Sequence, residues 1–191
     1  VLGDQQPPNG HADTDDARAV MNAAHALPIA AGPVDAGRDR SSEVVCVEAR
    51  NDELRVAHHR IRRAVFVEEQ GIFPESDIDE HDARDDVVRV LAVKGGQPIG
   101  AVRLYPVPEH NGLWKGDRLA VLADWRASGA GAPLVRFAVA HACAHGGRRM
   151  IAHIQIANVR FFERLGWSVY AKPEEYLGLT HRPMHISLIG C

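Results

Sequence analysis

Residues Leu119 to Val139 read LAVLADWRASGAGAPLVRFAV. An apolar run ends at Trp125-Arg126, passes through Gly129 and Gly131, and resumes as apolar residues at helical spacing. A strand, a tight turn and a helix therefore follow one another without a linker. At a helix start several backbone amides lack partners inside the helix and point outward, at the positive end of its dipole. Such a turn cradles an anion, most often phosphate, and needs glycine where a Cβ would block the ligand or where φ is positive. No Lys-Ser/Thr follows the glycines and no GxGxxG is present, which excludes two other phosphate loops. The same spacing also fits a plain strand-to-helix turn.

The rest of the chain bounds what this turn can serve. A length of 191 residues allows one domain with a real core, or one domain plus an extension. Hydrophobic residues make up 46% and charged ones 25%, as in soluble globular proteins. A formal net charge of −3 provides no global field for nucleic acid or an acidic membrane. No apolar run reaches the ~20 residues that span a bilayer, and VLGDQQPPNG lacks the marks of a secretory leader. Cys46, Cys143 and Cys191 are widely spaced and odd in number, so neither a disulfide framework nor a zinc knuckle is expected, and a reduced, cytoplasmic setting is the simplest reading.

Residues 1–43 are rich in Ala, Asp, Gly and Pro; they read as a linker-like extension carrying one short helix with Val20, Ala24 and Leu27 on a stripe. Residues 44–191 read as the domain. A strand from Val44 precedes a helix capped by Asn51 or Asp52, with Leu54, Ala57, Ile61, Val65 and Glu68 on one face. Residues 71–86 carry Gly, Pro and many carboxylates and form a loop. Two strands then flank Gly95-Gly96, a hairpin signal. A third strand, Asp117 to Leu122, enters the opening motif, and the helix runs from about Ala130 to His145. RRMIAHI is a buried strand, NVRFFERLGW a short helix closed by Gly166, and MHISLI the last strand. The order β-α-β-β-β-α-β-α-β-β predicts an α/β fold with one sheet of mixed direction.

Arg126, Gly129 and Gly131 match the pattern Arg/Gln-x-x-Gly-x-Gly/Ala, and NVRFFERLGW resembles an Asn-…-Phe-Tyr-Glu-Lys-Leu-Gly-Phe helix. Two such motifs in this order resemble the GNAT-type N-acyltransferases from about Val44 onward. The resemblance implies their mixed, mostly antiparallel central sheet with flanking helices. It implies acetyl-CoA or another acyl-CoA as co-substrate, and no metal. Arg126, Ser128, Gly129, Ala130, Gly131 and Ala132 would surround the pyrophosphate. Leu119 and Val121 would pair with the pantetheine arm like an added strand. The Val121 amide would face the thioester carbonyl. Asn158, Phe161 and Phe162 would line the far side, with Arg164 and Arg160 toward phosphate. Phe162 falls where many relatives have a tyrosine that protonates the thiolate; a phenyl ring cannot, so water, another residue or no acid serves.

RRAVFVEEQGIFPESDIDEHD resembles, in addition, the N-terminal half of acyl-homoserine-lactone synthases. The matching positions are Arg62, Phe66, Asp79-x-x-Asp82, Arg103 and Arg118, which would shape the acceptor pocket. Those synthases have a glutamate three positions before the last arginine; here Lys115 stands there.

An acceptor amine, with pKa about 10, must lose a proton before it attacks. Candidate bases are Glu68, Glu69, Asp79, Glu80, His81, Asp82 and His153. The acidic loop can instead be a solvated turn, and His153, on the opposite strand face from Ile154, a buried hydrogen-bonded residue. Arg62 and Arg103 would keep the carboxylates from repelling one another and could bind an acceptor carboxylate. His141 and His145, four apart on a helix, read as surface residues for want of a third metal ligand; His58-His59 and His181/His185 give no metal set either. The leading expectation is an acyltransferase acting on a small-molecule amine by direct attack in a ternary complex, without nucleic acid or membrane, as a monomer or homodimer. A non-catalytic acyl-CoA sensor and a lactone-synthase-like enzyme are the alternatives.

Overall fold

The computed structural model describes residues 43–176 and 178–191. The expected N-terminal helix and linker lie outside the described residues. Valine-rich segments form β1 (Val45–Glu48) and β2 (Val88–Lys94), and a largely buried segment forms β3 (Gln97–Pro106); the three pair antiparallel in sequence order. The β2–β3 turn is Gly95-Gly96, with φ of 57° and 79°. A two-residue hairpin needs positive φ at both places, which glycine adopts without strain.

The next strand, β4 (Leu113–Val121), pairs antiparallel with β3 and parallel with β5 (Arg149–Gln155). Its start lies earlier than the expected Asp117, because Trp114 and Gly116 belong to the buried face and only Lys115 and Asp117 made the segment look polar. A 3-10 turn (Ala123–Ser128) and helix α2 (Gly131–Ala144) cross from β4 to β5; α2 here denotes the second α-helix, after α1 (Asp52–Arg62). A short α3 (Val159–Arg164) follows β5. The chain closes with β6 (Ser168–Val169), β7 (Glu174–Tyr176) and β8 (Leu179–Ser187). The sheet order is β1-β2-β3-β4-β5-β8-β6, with β7 on β8. Among the described residues only the β4–β5 pair is parallel. The expected order has two strands after the last helix where three occur, and only the last was placed, because β6 and β7 are short and exposed and so lack an apolar pattern.

Helices cover both faces. Leu134, Val135, Ala138 and Ala142 of α2 and Phe162 of α3 pack with Leu104, Trp114, Met150 and Met184. Burying a Leu or Met this completely contributes roughly 1.5–3 kcal/mol each. On the other face Ile61, Val65 and Phe66 pack against Leu91, Ala101 and Ala120. Asn51 caps α1 by accepting from the Leu54 amide at 2.8 Å. Beyond Arg62 the helix widens into π turns over Arg63–Glu69. This rotation breaks the expected single face: Val65 and Phe66 are buried, whereas Glu68 turns outward.

One bulge organises β4. Asp117 pairs with Arg103 and Ala120 with Ala101, so Arg118 and Leu119 together oppose Val102. Arg118 sits at φ 52°, the left-handed region that side chains rarely adopt. The extra residue shifts the alternation: Lys115 and Asp117 share the α1 face with Arg103 and Ala120, and Leu119 and Val121 pack toward α2 instead.

The cysteine expectation is corrected. Cys143 on α2 and Cys191 form a disulfide, and Cys46 is free. An odd count with wide spacing hid the pair because α2 and the segment after β8 meet only in three dimensions. The bond removes the cysteine argument for a reduced compartment.

Candidate active site

The β4–β5 ladder runs from Leu113–Arg149 to Lys115–Ile151 and stops. Beyond it the two strands part, and a cavity of about 350 Å³ occupies the divergence. Gly116 and Leu119 of β4, Ala152 and Ile154 of β5, and Val135 and Ala138 of α2 form its apolar walls. The expected Asn158 and Phe162 also line it, the latter edge-to-face with Phe161 and Trp167. Val121, Phe161 and Arg164 do not contribute to this wall, nor do the residues of the glycine turn.

That turn lies at the start of α2. Gly129 has φ 78°, and a Cβ on Gly131 would meet the Phe161 ring at 3.3 Å. The Ser128 hydroxyl is buried without a hydrogen-bond partner. An orphaned hydroxyl beside unpaired helix-start amides fits an anionic group, as the phosphates of CoA would supply. Arg126, half exposed, pairs with Glu69 at 2.5 Å.

The loop before β2 is no solvated turn. Asp79 caps a 3-10 turn (Glu80–Ala83) in a capping box with Asp82. Arg62 donates to Asp77 at 2.7 Å and to both oxygens of Asp82 at 2.7 and 2.9 Å. Arg103 donates to Asp79, Asp82 and Asp117 at 2.6–2.8 Å. Arg118 reaches Asp77 and Asp79 at 3.1 and 3.0 Å and covers the Phe73 ring. Arg89 donates to the Asp82 carbonyl. The Arg62 and Arg103 side chains are fully buried. Both are saturated by protein carboxylates, so the expectation that they bind an acceptor carboxylate is not met by their geometry. Burial pushes the Asp82 carboxyl up, but the hydrogen bonds and charges of Arg62 and Arg103 outweigh it and hold it far below its usual range. Asp79 is lowered likewise, burial being outweighed by Arg103 and Arg118. Carboxylates held this way are weak proton acceptors.

Of the candidate bases, Asp79, Glu80, His81 and His153 line the cavity. Asp82 sits behind it within the arginine cluster. Glu68 and Glu69 lie around a separate, shallower depression with Leu122 and Trp125; Glu68 pairs with Arg63. The expected delivery of one of them to the cleft therefore does not occur, because the π turns carry both outward. Phe66 and Arg118 line the cavity.

His153 is the best-placed group. Its Nδ1 lies 2.9 Å from Glu174 Oε1, and its side chain is one-third exposed. It is therefore not the enclosed histidine of the alternative expectation. Burial lowers its pKa from 6.5, while Glu174 works in the opposite direction. His81 stacks on Tyr105 at 4.4 Å. Tyr105, Tyr176, His181 and Asp117 complete the polar wall, and the sequence reading missed them. For Tyr105 a signal existed, since it alternates with Arg103 on β3. Glu174 and Tyr176 stand on the unrecognised β7 and gave none.

His141 is half-buried rather than a free surface residue: its Nδ1 lies 3.1 Å from Glu48 and its ring stacks on His145 at 4.1 Å. His58 is buried, its Nε2 3.1 Å from the Val102 carbonyl, and burial depresses its pKa to about 3. No cluster of three or more metal-ligating side chains occurs among the described residues.

Known proteins are similar to this chain in sequence or fold. The uncharacterized N-acetyltransferase YjcF of Bacillus subtilis (strain 168) is 30% identical over 141 residues, 72% of this chain and 96% of its own. A crystal structure from Lactobacillus plantarum, provisionally named an N-acetyltransferase, superposes with TM-score 0.69 at 26% identity, over 76% of this chain and 99% of that one. The CoA-dependent acyl-homoserine lactone synthase BjaI, solved with SAM and isopentyl-CoA, shares the fold with TM-score 0.62 at 20% identity, over 77% of this chain and 83% of its own. The model of the acetyltransferase (GNAT) family matches residues 55–167. With more than half of its length in that match, the chain belongs to the GNAT acetyltransferase family.

Proposed function

We propose that this acyltransferase moves an acyl group, most simply acetyl, from CoA to the amine of a small molecule by direct attack in a ternary complex. Members of the family use acyl-CoA as co-substrate. The observation that carries the reading is the His153–Glu174 pair in the wall of the cavity where β4 and β5 part. Glu174 accepts from Nδ1, which fixes the tautomer and leaves Nε2 free to take a proton. A lowered pKa keeps the imidazole neutral near pH 7. The acceptor ammonium gives one proton to Nε2, the amine nitrogen bonds to the acyl carbon, and the carbon–sulfur bond breaks as the nitrogen loses its second surplus proton to water, from which the departing thiolate can take one. In this reading the turn Arg126–Ala132 holds the phosphates, Leu119 and Val121 hold the pantetheine arm, and the Val121 amide meets the acyl oxygen. With Phe162 in the wall, the thiolate leaves unassisted or through water.

The test is CoA release from acetyl-CoA across an amine panel. His153→Gln should lower kcat by about 10²–10⁴ with CoA affinity unchanged. An unchanged kcat rules out His153 as the base. Phe162 and the arginine-held state of Asp79 and Asp82 also favour a second reading, a non-catalytic acyl-CoA sensor. CoA binding without release for any amine would establish it. Lys115, where lactone synthases have glutamate, speaks against the lactone-forming alternative.

A further inference from the structure

Lys115 lines the cavity and has no ion-pair partner among the described residues. The other fixed charges nearby, Glu80 excepted, are engaged. Arg118 is held by Asp77 and Asp79. Asp117, two residues along β4, accepts two bonds from Arg103 at 2.8 Å and a third from the Tyr105 hydroxyl at 3.3 Å. Glu174 is occupied by His153, and Glu80 is largely exposed at the mouth.

Position adds a direction to this charge. Lys115 stands opposite Tyr105 on β3 and Ile151 on β5. Side chains alternate, so Lys115 shares its sheet face with Tyr105, Ile151 and, one alternation further, His153. Strand spacing puts the Lys115 and His153 Cα atoms roughly 8 Å or more apart, a gap that the lysine stem shortens to the span of a few bonds. The ammonium also lowers the His153 pKa through its charge, so the two groups sense one another across the cavity. A half-buried ammonium without a counter-charge favours an anionic ligand group.

We propose that Lys115 determines acceptor specificity by binding an acceptor carboxylate, so that the acceptor is a small amino-acid-like zwitterion whose amine lies within a few bonds of that carboxylate. The proposal rests on the acyl-transfer reading of the same cavity. It relocates carboxylate recognition from the buried, saturated Arg62 and Arg103 to a wall cation that has no ion-pair partner among the described residues.

The experiment pairs free amino acids with their C-terminal amides as acceptors and follows CoA release by wild type, Lys115→Met and Lys115→Arg. Wild type should favour the free acids. Lys115→Met should raise their KM at least tenfold while leaving KM for the amides and for acetyl-CoA unchanged, and Lys115→Arg should restore most of the preference. Equal KM changes for acids and amides, or no wild-type preference for acids, overturns the proposal. Calorimetry of the CoA-loaded protein with the same pairs gives a readout independent of turnover. Absent CoA release from every amine defeats the acyl-transfer reading, and the binding preference then still decides the role of Lys115. Its presence in wild type and loss in Lys115→Met supports the role; its absence in wild type overturns it.

Discussion

Arg103 grips Asp79 with both terminal nitrogens, Nη1 to Oδ1 at 2.6 Å and Nη2 to Oδ2 at 2.8 Å. The same guanidinium holds Asp82 and Asp117, so one buried cation ties the acidic loop to β3 and β4. Removing a carboxylate here leaves arginines buried without their partner. Asp82→Asn, which faces both Arg62 and Arg103, should destabilise the fold by about 3–5 kcal/mol. Asp79, a quarter exposed, should cost less. Urea unfolding checks both, and unchanged stability in Asp82→Asn would mean the cluster does not anchor the loop.

Acid should act through the same carboxylates. Their folded pKa values are depressed, so the stability they provide is complete above the unfolded carboxyl pKa of about 4 and lost as pH falls through the lower folded values. The urea midpoint should therefore be insensitive to these groups between pH 5 and 8, taken as approximate limits, and decline only below about pH 4. A decline already complete near pH 5 would contradict this.

The His153 pair predicts a pH profile. Burial lowers the His153 pKa, so the rising limb of kcat/KM should have its midpoint below 6.5. Glu174 raises that pKa and Lys115 lowers it. Glu174→Gln should thus move the limb to lower pH, and Lys115→Met to higher pH. Limbs that stay in place in both variants identify a different base.

At the glycine turn, Gly131→Asp brings a side chain against Phe161 and a negative charge to the proposed phosphate site. CoA affinity should be abolished with the melting temperature nearly unchanged. Normal CoA binding by calorimetry shows that the phosphates lie elsewhere.

Phe162→Tyr places a hydroxyl on a ring that lines the cavity. The acyl-transfer rate should be kept or raised. A fall in kcat of more than about tenfold with CoA binding intact indicates that the packing against Phe161 and Trp167 leaves the hydroxyl no productive position.

Most of the fold was legible because its signals are local. Asn51 before an amphipathic run, Gly95-Gly96 between two strands, and Gly146 and Gly166 after helices each act within a few residues. The glycine turn and the Phe161-Phe162 helix were legible for the same reason. What escaped the sequence depends on partners far along the chain. Glu174 gains meaning only through His153, and Cys191 only through Cys143. The π turns at Arg63–Glu69 carry no composition signal, and they redirected Glu68 and Glu69.

The bulge at Arg118 makes β4 a strand of two phases. Before it, Lys115 and Asp117 look toward α1; after it, Leu119 and Val121 look toward α2. The two sides of one cavity are thus set apart without a dividing wall, by a change of parity along a single ribbon. Regular alternation through Arg118, without the bulge, would turn Leu119 and Val121 to the face of the acidic loop. The partition between donor and acceptor in our proposal therefore has the length of one amino acid, and Asp77 and Asp79 hold that amino acid in its strained conformation.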